Sequence, residues 1–209
     1  MELMKYKINE IFYSIQGEGI RKGTPNIFIR FSGCTAEKVC AKKGIVCDTN
    51  YEDYTEYTGD GLVEEIQKIT RAYGCKNIIW TGGEPTDQLT KELAINFRYL
   101  GYYQAIECSG IRIPTDMVDF ITLSPKLTDK QICKIWQHQK IDEIRMVLHK
   151  GQDIDDLIRL ALNYDYFFIS PHFDGEDPNW DNINYCIKYV KEHPSFRLSL
   201  QEHKFLRIR

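Results

Sequence analysis

Short apolar runs alternate with longer amphipathic segments along most of the chain. Residues 26–31 and 76–80 are rich in β-branched and aromatic side chains, which is typical of buried strands. Between them, apolar residues recur at helical spacing from Gly59 to Tyr73, with Asp60 placed to cap a helix and Gly74 placed to end it. The pattern therefore predicts a succession of β and α units.

The same alternation continues to the C-terminus. A strand from residue 5 should lead into a glycine-rich polar turn that ends near residue 23. Further strands are expected at 103–108, 119–123, 144–148, 166–170 and 196–200, and further helices at 89–97, 132–136, 154–163 and 180–191. We count six or seven of these as strands of a barrel, fewer than the eight that a closed barrel needs. We therefore expect one α/β domain over residues 1–209, an open partial (β/α)6-type barrel with mostly parallel strands.

The composition and charge of the chain exclude several classes of protein. The chain is 43% hydrophobic and 27% charged, which is ordinary for a soluble globular protein and excludes disordered and fibrous classes. Its net charge is −3 and its Lys and Arg residues are scattered, so it has no electrostatic footprint for nucleic acid. It also has no apolar run of about 18 residues that could span a membrane. We expect a cytoplasmic protein that acts on a small molecule.

Three cysteines follow the strand at 26–31. Cys34, Cys40 and Cys47 lie in a polar loop, and the odd total of seven cysteines argues against a disulfide framework. Three thiols suit an iron–sulfur cluster with one open iron, whereas a structural zinc site needs a fourth ligand. Packing is the ordinary fate of an intracellular cysteine. The thiols alone leave these three interpretations open.

Other polar residues follow predicted strands and should meet the thiols at one rim of the sheet, because ligands gather at the carboxyl ends of parallel strands. They are residues 81–85, 107–110, 124–126 and 170–172. Arg30 lies inside an apolar strand, where its charge is costly to bury without an anionic partner. That partner is either a substrate carboxylate, which is favoured, or a structural ion pair.

Six motifs occur in a fixed order over the whole chain: EIFYSIQGEG at 10–19, FIRFSGC at 28–34, CDT at 47–49, TGGEP at 81–85, SPK at 124–126 and LSLQEHK at 198–204. Together they resemble the radical SAM family of 7-carboxy-7-deazaguanine synthases. The resemblance implies a lyase that converts 6-carboxy-5,6,7,8-tetrahydropterin to 7-carboxy-7-deazaguanine with loss of ammonia, in queuosine and 7-deazapurine biosynthesis. It also implies a [4Fe–4S] cluster, S-adenosyl-L-methionine (SAM), Mg²⁺, a homodimer, and a reductant protein such as flavodoxin or ferredoxin, with no nucleic-acid or membrane partner.

The resemblance also assigns site residues. Cys34 and Cys47 match cluster ligands, and Cys40 is the third because it is the only thiol between them, although the family's usual second position holds Gly44 here. Thr49 would hold Mg²⁺. The residues implied for SAM are Val46, Asp48, Gly82, Gly83, Glu84, Ser109, Ser124, Pro125, Lys126 and Ser170. Those implied for the substrate are Ile15, Gln16, Gly17, Glu18, Arg30, Thr81, Glu107 and Arg209 through its terminal carboxylate.

Two other functions are compatible with parts of this pattern. One is a radical SAM activating enzyme that acts on a glycine of a partner protein, and the other is a non-catalytic zinc module in which His172 could be the fourth ligand. We expect cysteines 75, 108, 133 and 186 to be packing residues. His203 and Lys204 are expected to be exposed tail residues, and histidines 138, 149 and 193 to be surface or turn residues.

Overall fold

A computed structural model describes residues 4–42, 47, 53–127, 129–136, 140–152, 154, 164, 166–175 and 177–208. The strands in this part of the chain are β1 (Lys5–Ile15), β2 (Pro25–Phe31), β3 (Thr55–Thr58), β4 (Asn77–Gly82), β5 (Tyr103–Cys108), β6 (Phe120–Leu123), β7 (Glu143–Leu148), β8 (Phe167–Pro171) and β9 (Arg197–Leu198). The helices are α1 (Glu37–Lys42), α2 (Gly59–Tyr73), α3 (Lys91–Tyr99), α4 (Asp129–Ile135), α5 (Trp180–Glu192) and α6 (Glu202–Leu206), with a 3₁₀ turn at Pro85–Asp87.

These strands form one sheet in the order β3-β1-β2-β4-β5-β6-β7-β8-β9. All neighbours from β2 to β9 are parallel, and β1 is antiparallel to both β2 and β3. The sheet is not closed, since β3 and β9 are its two edges. The expected α/β fold with an open, mostly parallel sheet is therefore confirmed.

The predicted strand number was too low, because the described residues contain nine strands. The missed strand β3 has the sequence TEYT, and its residues are exposed or half-buried. The strand predicted at 196–200 is present as β9 but is shorter, with only Arg197 and Leu198 paired with β8. Edge strands need little apolar surface, so a search for apolar runs undercounts them.

Side chains alternate between two faces along the parallel strands. Ile27, Ile29 and Phe31 of β2 are fully buried in the main core, which also contains Trp80 of β4. Arg30 lies between these apolar residues in sequence and so points to the opposite face, which lines the inside of the partial barrel. The fold thus separates an apolar core from a polar interior.

Helix α2 has the predicted bounds, but its N-cap lies two residues before the predicted one. Thr58 is the N-cap, and its Oγ1 accepts a hydrogen bond of 3.1 Å from the Gly61 amide. Asp60 lies in the first turn, where its charge favours the helix dipole without capping it, so the prediction for Asp60 was wrong. Gly74 ends the helix as predicted, with φ of 71°.

The other predicted elements fall at the expected places, except that the helix at 154–163 lies outside the described residues apart from Ile154. Cys75, Cys108 and Cys186 are buried, which confirms them as packing residues, and the side chain of Cys133 lies outside the description. Within the described ranges, every helix is too short or too polar to cross a membrane.

Candidate active site

A cavity of about 990 Å³ lies on the polar inside of the partial barrel, at the carboxyl ends of the parallel strands. The turn after β1 and the segment after β9 form part of its wall. Every described residue that we predicted for the substrate lines it, namely Ile15, Gln16, Gly17, Glu18, Arg30, Thr81 and Glu107. The fold therefore brings one predicted set of residues together around a single space.

The three predicted cluster thiols line the same cavity. Cys34 follows β2, Cys40 lies in α1, and Cys47 is exposed. Burial raises the pKa of the Cys34 thiol to about 11. Three thiols on one cavity wall fit a [4Fe–4S] cluster with one open iron, whereas a structural zinc site needs a fourth ligand.

His172, the candidate fourth ligand of the zinc alternative, does not line the cavity. It stacks on His149, with 4.1 Å between the ring centroids. Across the described residues, no three His, Cys, Asp or Glu side chains lie close enough together to hold a single metal ion, and this includes Cys34, Cys40 and Cys47, which share a cavity wall without being gathered at one point.

The TGGEP turn packs directly against the segment that leads to Cys34. The Gly83 amide donates to the Phe31 carbonyl at 2.9 Å. A Cβ on Gly83 would overlap the Gly33 carbonyl oxygen, and a Cβ on Gly82, whose φ is 108°, would overlap the backbone of Phe31. Both glycines line the cavity, so the close approach of these two segments shapes the wall beside the thiols.

Three more residues predicted for SAM line the cavity: Ser109, Ser124 and Lys126. Lys126 Nζ donates to Ser124 Oγ at 3.1 Å. Glu84 and Pro125 are buried and do not line the cavity. The Glu84 carboxylate accepts a bond of 3.0 Å from the Ser109 amide, so it supports the backbone at that position. Direct contact of Glu84 or Pro125 with SAM stays a prediction.

Glu107 joins two other predicted substrate residues, Gln16 and Thr81. Its carboxylate accepts hydrogen bonds from Gln16 Nε2 at 2.9 Å and from Thr81 Oγ1 at 3.2 Å. Burial alone would raise the pKa of Glu107, but the charge of Arg145 and hydrogen bonds from Gln16, Arg145 and Thr81 bring that pKa below its ordinary value. Glu107 is therefore an ionised acceptor at neutral pH.

Arg145 of β7 connects Glu107 to two further carboxylates. Its guanidinium contacts Glu107 at 3.1 Å, Glu18 at 3.3 Å and Glu143 at 2.8 Å. Ser170, predicted for SAM, is buried outside the cavity lining, and its Oγ donates to Glu18 at 3.4 Å. Burial alone would lower the pKa of Arg145, but the three carboxylates raise it above its ordinary value.

Arg30 faces the cavity from β2 and is half-buried. Its Nε is 3.7 Å from Glu10 Oε2, which is longer than a hydrogen bond. Its guanidinium also lies 5.8 Å from the ring centroid of Phe12. Both possibilities that the sequence left open thus have structural support, since Arg30 has an ion-pair partner and also lies on the cavity wall.

No protein-family model matches the chain. Individual relatives do: the chain is 38% identical over 206 residues to the 7-carboxy-7-deazaguanine synthase of Bacteroides thetaiotaomicron, covering 99% of this chain and 100% of that protein. It is 34% identical over 223 residues to the enzyme of the same name from Burkholderia multivorans, covering 98% and 100%. The chain belongs to the 7-carboxy-7-deazaguanine synthase family.

A solved structure supports the shared fold. The crystal structure of QueE from Escherichia coli superposes with a TM-score of 0.70 at 24% identity, covering 94% of each chain. The resemblance inferred from the six motifs is therefore confirmed at the level of family and fold, and the chain is an enzyme of the 7-carboxy-7-deazaguanine synthase family.

Two candidate functional residues of this synthase were not predicted from the sequence. Arg145 and Glu143 are 7% and 1% exposed, in a strand whose sequence is EIRMVL. A charged residue within an apolar strand was the signal used for Arg30, and the same signal applies to Arg145. Glu143 precedes the strand predicted at 144–148, and neither residue falls in one of the six motifs.

The segment after β9 was also misjudged. His203 and Lys204 are half-buried and line the cavity, so the expectation that they are exposed tail residues was wrong. The backbone explains their position, because the Glu202 amide donates to the Gly17 carbonyl at 3.1 Å and ties α6 to the turn after β1. Their place in the LSLQEHK motif was the available signal.

Four predicted site residues lie outside the described residues: Val46, Asp48, Thr49 and Arg209. The interpretation of their roles rests on the resemblance alone.

Proposed function

We propose that this chain converts 6-carboxy-5,6,7,8-tetrahydropterin to 7-carboxy-7-deazaguanine with loss of ammonia, as a radical SAM carbon–nitrogen lyase of 7-deazapurine biosynthesis. The observation that carries the proposal is one cavity lined by three thiols, by an arginine suited to a pterin carboxylate and by carboxylates suited to pterin N–H groups. Membership of the synthase family supports the same conclusion. The cavity is large enough for the reactant and SAM together.

Cys34, Cys40 and Cys47 would hold the [4Fe–4S] cluster. When bound, the cluster supplies the electron that cleaves SAM and so starts radical chemistry on the pterin. The residues expected beside SAM are those at the thiol side of the cavity, with the Gly82–Gly83 backbone, Ser109, Ser124 and Lys126 as its described members. The chain's task is to place the reacting atoms and exclude water.

The substrate has two chemically different parts, and the cavity has a matching group for each. Arg30 would bind the C6 carboxylate with its planar pair of donors. Glu107 and Glu18 would accept hydrogen bonds from the N–H groups of the pterin ring. Gln16 and Thr81 donate to Glu107, which holds its carboxylate in place toward the cavity.

Several further features belong to this proposal. Thr49 would bind Mg²⁺ together with substrate oxygens, and the terminal carboxylate of Arg209 would reach the substrate. The enzyme would act as a homodimeric, single-domain cytoplasmic protein that receives electrons from flavodoxin or ferredoxin.

An anaerobic assay tests the reaction directly. The iron-reconstituted protein, supplied with SAM, Mg²⁺, dithionite and 6-carboxytetrahydropterin, is expected to form 7-carboxy-7-deazaguanine and ammonia, detected by mass and by an enzymatic ammonia assay. Omitting the pterin is expected to remove both products. A protein that holds roughly four irons and cleaves SAM but leaves the pterin unchanged would contradict the proposed substrate.

Two replacements of Arg30 are expected to weaken substrate binding to different degrees. Arg30→Met removes the partner of the carboxylate and should raise the substrate KM by about 30- to 1,000-fold. Arg30→Lys keeps the charge but loses the planar fork, so its KM should rise by about tenfold. Initial rates at varied pterin concentration measure both.

Arg197→Met is the matched control, because Arg197 is an exposed arginine of β9. It should leave the pterin KM unchanged. If Arg30→Met lowers only thermal stability and keeps the wild-type KM, then Arg30 serves the Glu10 ion pair and has no part in binding.

A further inference from the structure

Arg145 is a buried cation with three carboxylate partners and an orientation fixed by one of them. Its Nε and Nη2 both contact Glu143 Oε1, at 3.2 and 2.8 Å. The remaining nitrogen, Nη1, contacts Glu107 Oε1 at 3.1 Å and Glu18 Oε2 at 3.3 Å. One edge of the guanidinium thus faces a buried acid, and the other end faces two acids that line the cavity.

Glu143 is itself held by the chain. It is 1% exposed, and its Oε2 accepts a bond of 2.7 Å from the Ile20 amide. Gly19 packs so closely against this carboxylate that a Cβ there would overlap it, and the Gly19 amide donates to Ser199 Oγ at 3.0 Å. Glu143 therefore fixes both Arg145 and the turn that carries Glu18.

The direct contacts of this cluster join one guanidinium to three carboxylates, and Arg21 of the turn after β1 adds a second positive charge near Glu107 and Glu143. The low pKa of Glu107 and the high pKa of Arg145 favour the ionised form of each. Carboxylates on a cavity wall accept further hydrogen bonds, so Glu18 and Glu107 favour a ligand that brings donors to them. The N–H groups of a reduced pterin are donors of this kind.

We propose that Arg145 is a positioning residue for the substrate: held by Glu143, it keeps Glu18 and Glu107 oriented into the cavity as a pair of hydrogen-bond acceptors for the pterin N–H groups. The inference rests on the proposed function and adds Arg145 and Glu143 to its binding machinery. Arg145 acts through the two carboxylates. Substrate affinity should therefore depend on it, whereas SAM cleavage without substrate should not.

A lysine cannot replace this arginine. One ammonium is a point charge on a flexible stem, whereas the guanidinium spans Glu143 on one edge and the pair Glu18 and Glu107 on the other. Arg145→Lys preserves the net charge and so removes mainly the orientation. Arg145→Met removes the charge as well and leaves three carboxylates without their cation.

The experiment is an anaerobic calorimetric titration of the reconstituted full-length protein with 6-carboxypterin, a stable analogue, in the presence of SAM. The Kd of Arg145→Met is expected to rise at least about 30-fold and that of Arg145→Lys about tenfold. Arg98→Met, an exposed arginine 4.0 Å from Asp119, is the control and should bind with the wild-type Kd. Substrate-free SAM cleavage should be the same in all four proteins.

The pH dependence of the same Kd provides a second readout. Glu107 accepts from the ligand only when ionised, so binding is present above its pKa and is lost as pH falls through it. Without Arg145 this pKa rises, and the loss should begin at higher pH than in the wild type. The titratable and charged groups around Glu107 are Arg145 and Glu143 of β7, Glu18 and Arg21 of the turn after β1, and the adjacent Cys108.

The outcomes separate this inference from the proposed function. A wild type that makes product while Arg145→Lys keeps the wild-type Kd and pH profile would overturn the inference alone. A wild type that makes no product would overturn the proposed function. Equal losses of SAM cleavage and ligand binding in Arg145→Lys would assign Arg145 a purely structural role. If Arg145→Met does not fold, Arg145→Lys decides, because it retains the buried charge.

Discussion

Gly83→Ala is expected to reduce SAM cleavage at least about 100-fold while the rest of the fold persists. The added methyl would overlap the Gly33 carbonyl oxygen, which is a backbone atom and cannot move aside as a flexible side chain could. Either the TGGEP turn or the segment leading to Cys34 must shift, and overpacking of this kind typically costs about 1–3 kcal/mol. Because misplacement by about 1 Å can cost on the order of 100-fold in rate, the loss of SAM cleavage should be large even though the variant stays folded.

Gly59→Ala is the matched control for this prediction. The Cβ of that variant would have Leu93 Cδ1 as its nearest neighbour at 3.8 Å, an ordinary contact at the start of α2. It should cleave SAM at the wild-type rate. Deoxyadenosine release and bound iron are measured for both variants. A Gly83→Ala protein that cleaves SAM as fast as Gly59→Ala would show that the close packing of the two segments is irrelevant to the site.

Single replacement of Cys34, Cys40 or Cys47 with alanine is expected to lower product formation at least about 1,000-fold. Each thiol would supply one of three cluster ligands, and a chain with two such ligands cannot hold the cubane stably. Bound iron should fall well below the roughly four atoms of a single cluster. Iron analysis and the cluster's visible absorption measure this loss independently of activity.

Cys186→Ala is the control, because Cys186 is fully buried in α5 and packs in the main core. It should lose some thermal stability and keep its iron. Cys40 is the informative position, since its spacing departs from the family pattern. If Cys40→Ala retains both iron and product formation, then the third ligand is another residue, although the family assignment would stand.

A strand or helix could be predicted where its own residues favour that structure. β2 and β4 are dense in β-branched and aromatic residues, and the helix at Gly59–Tyr73 has a regular apolar spacing. β3 was missed because TEYT has no apolar run, and it becomes a strand only by pairing with β1 at the sheet edge. Thr58 was likewise missed as the N-cap, because Thr and Asp are both favoured N-cap residues and Asp60 lies only two positions further along the chain.

Site residues were predictable where they lie in one of the six motifs, as Cys34, Gly83 and Arg30 do, or at the end of a predicted strand, as Glu107 does. Cys34, Gly83, Glu107 and Arg30 all line the cavity, in agreement with the predicted rim. Arg145 could have been suspected from the strand EIRMVL, but the sequence does not say which acids surround it. Those acids come from β5, from β7 and from the turn after β1, and the sheet order brings them together.

The sequence by itself determined the family, the alternation of strands and helices, and the residue types available at the rim, because these depend on local pattern and on motif order. Only the tertiary structure decided which charges share a partner and which glycines are confined by backbone. Hydrogen bonds, ion pairs and steric overlap act over a few ångströms. Residues 38 and 127 positions from Arg145, such as Glu107 and Glu18, come within that range only when the sheet has formed.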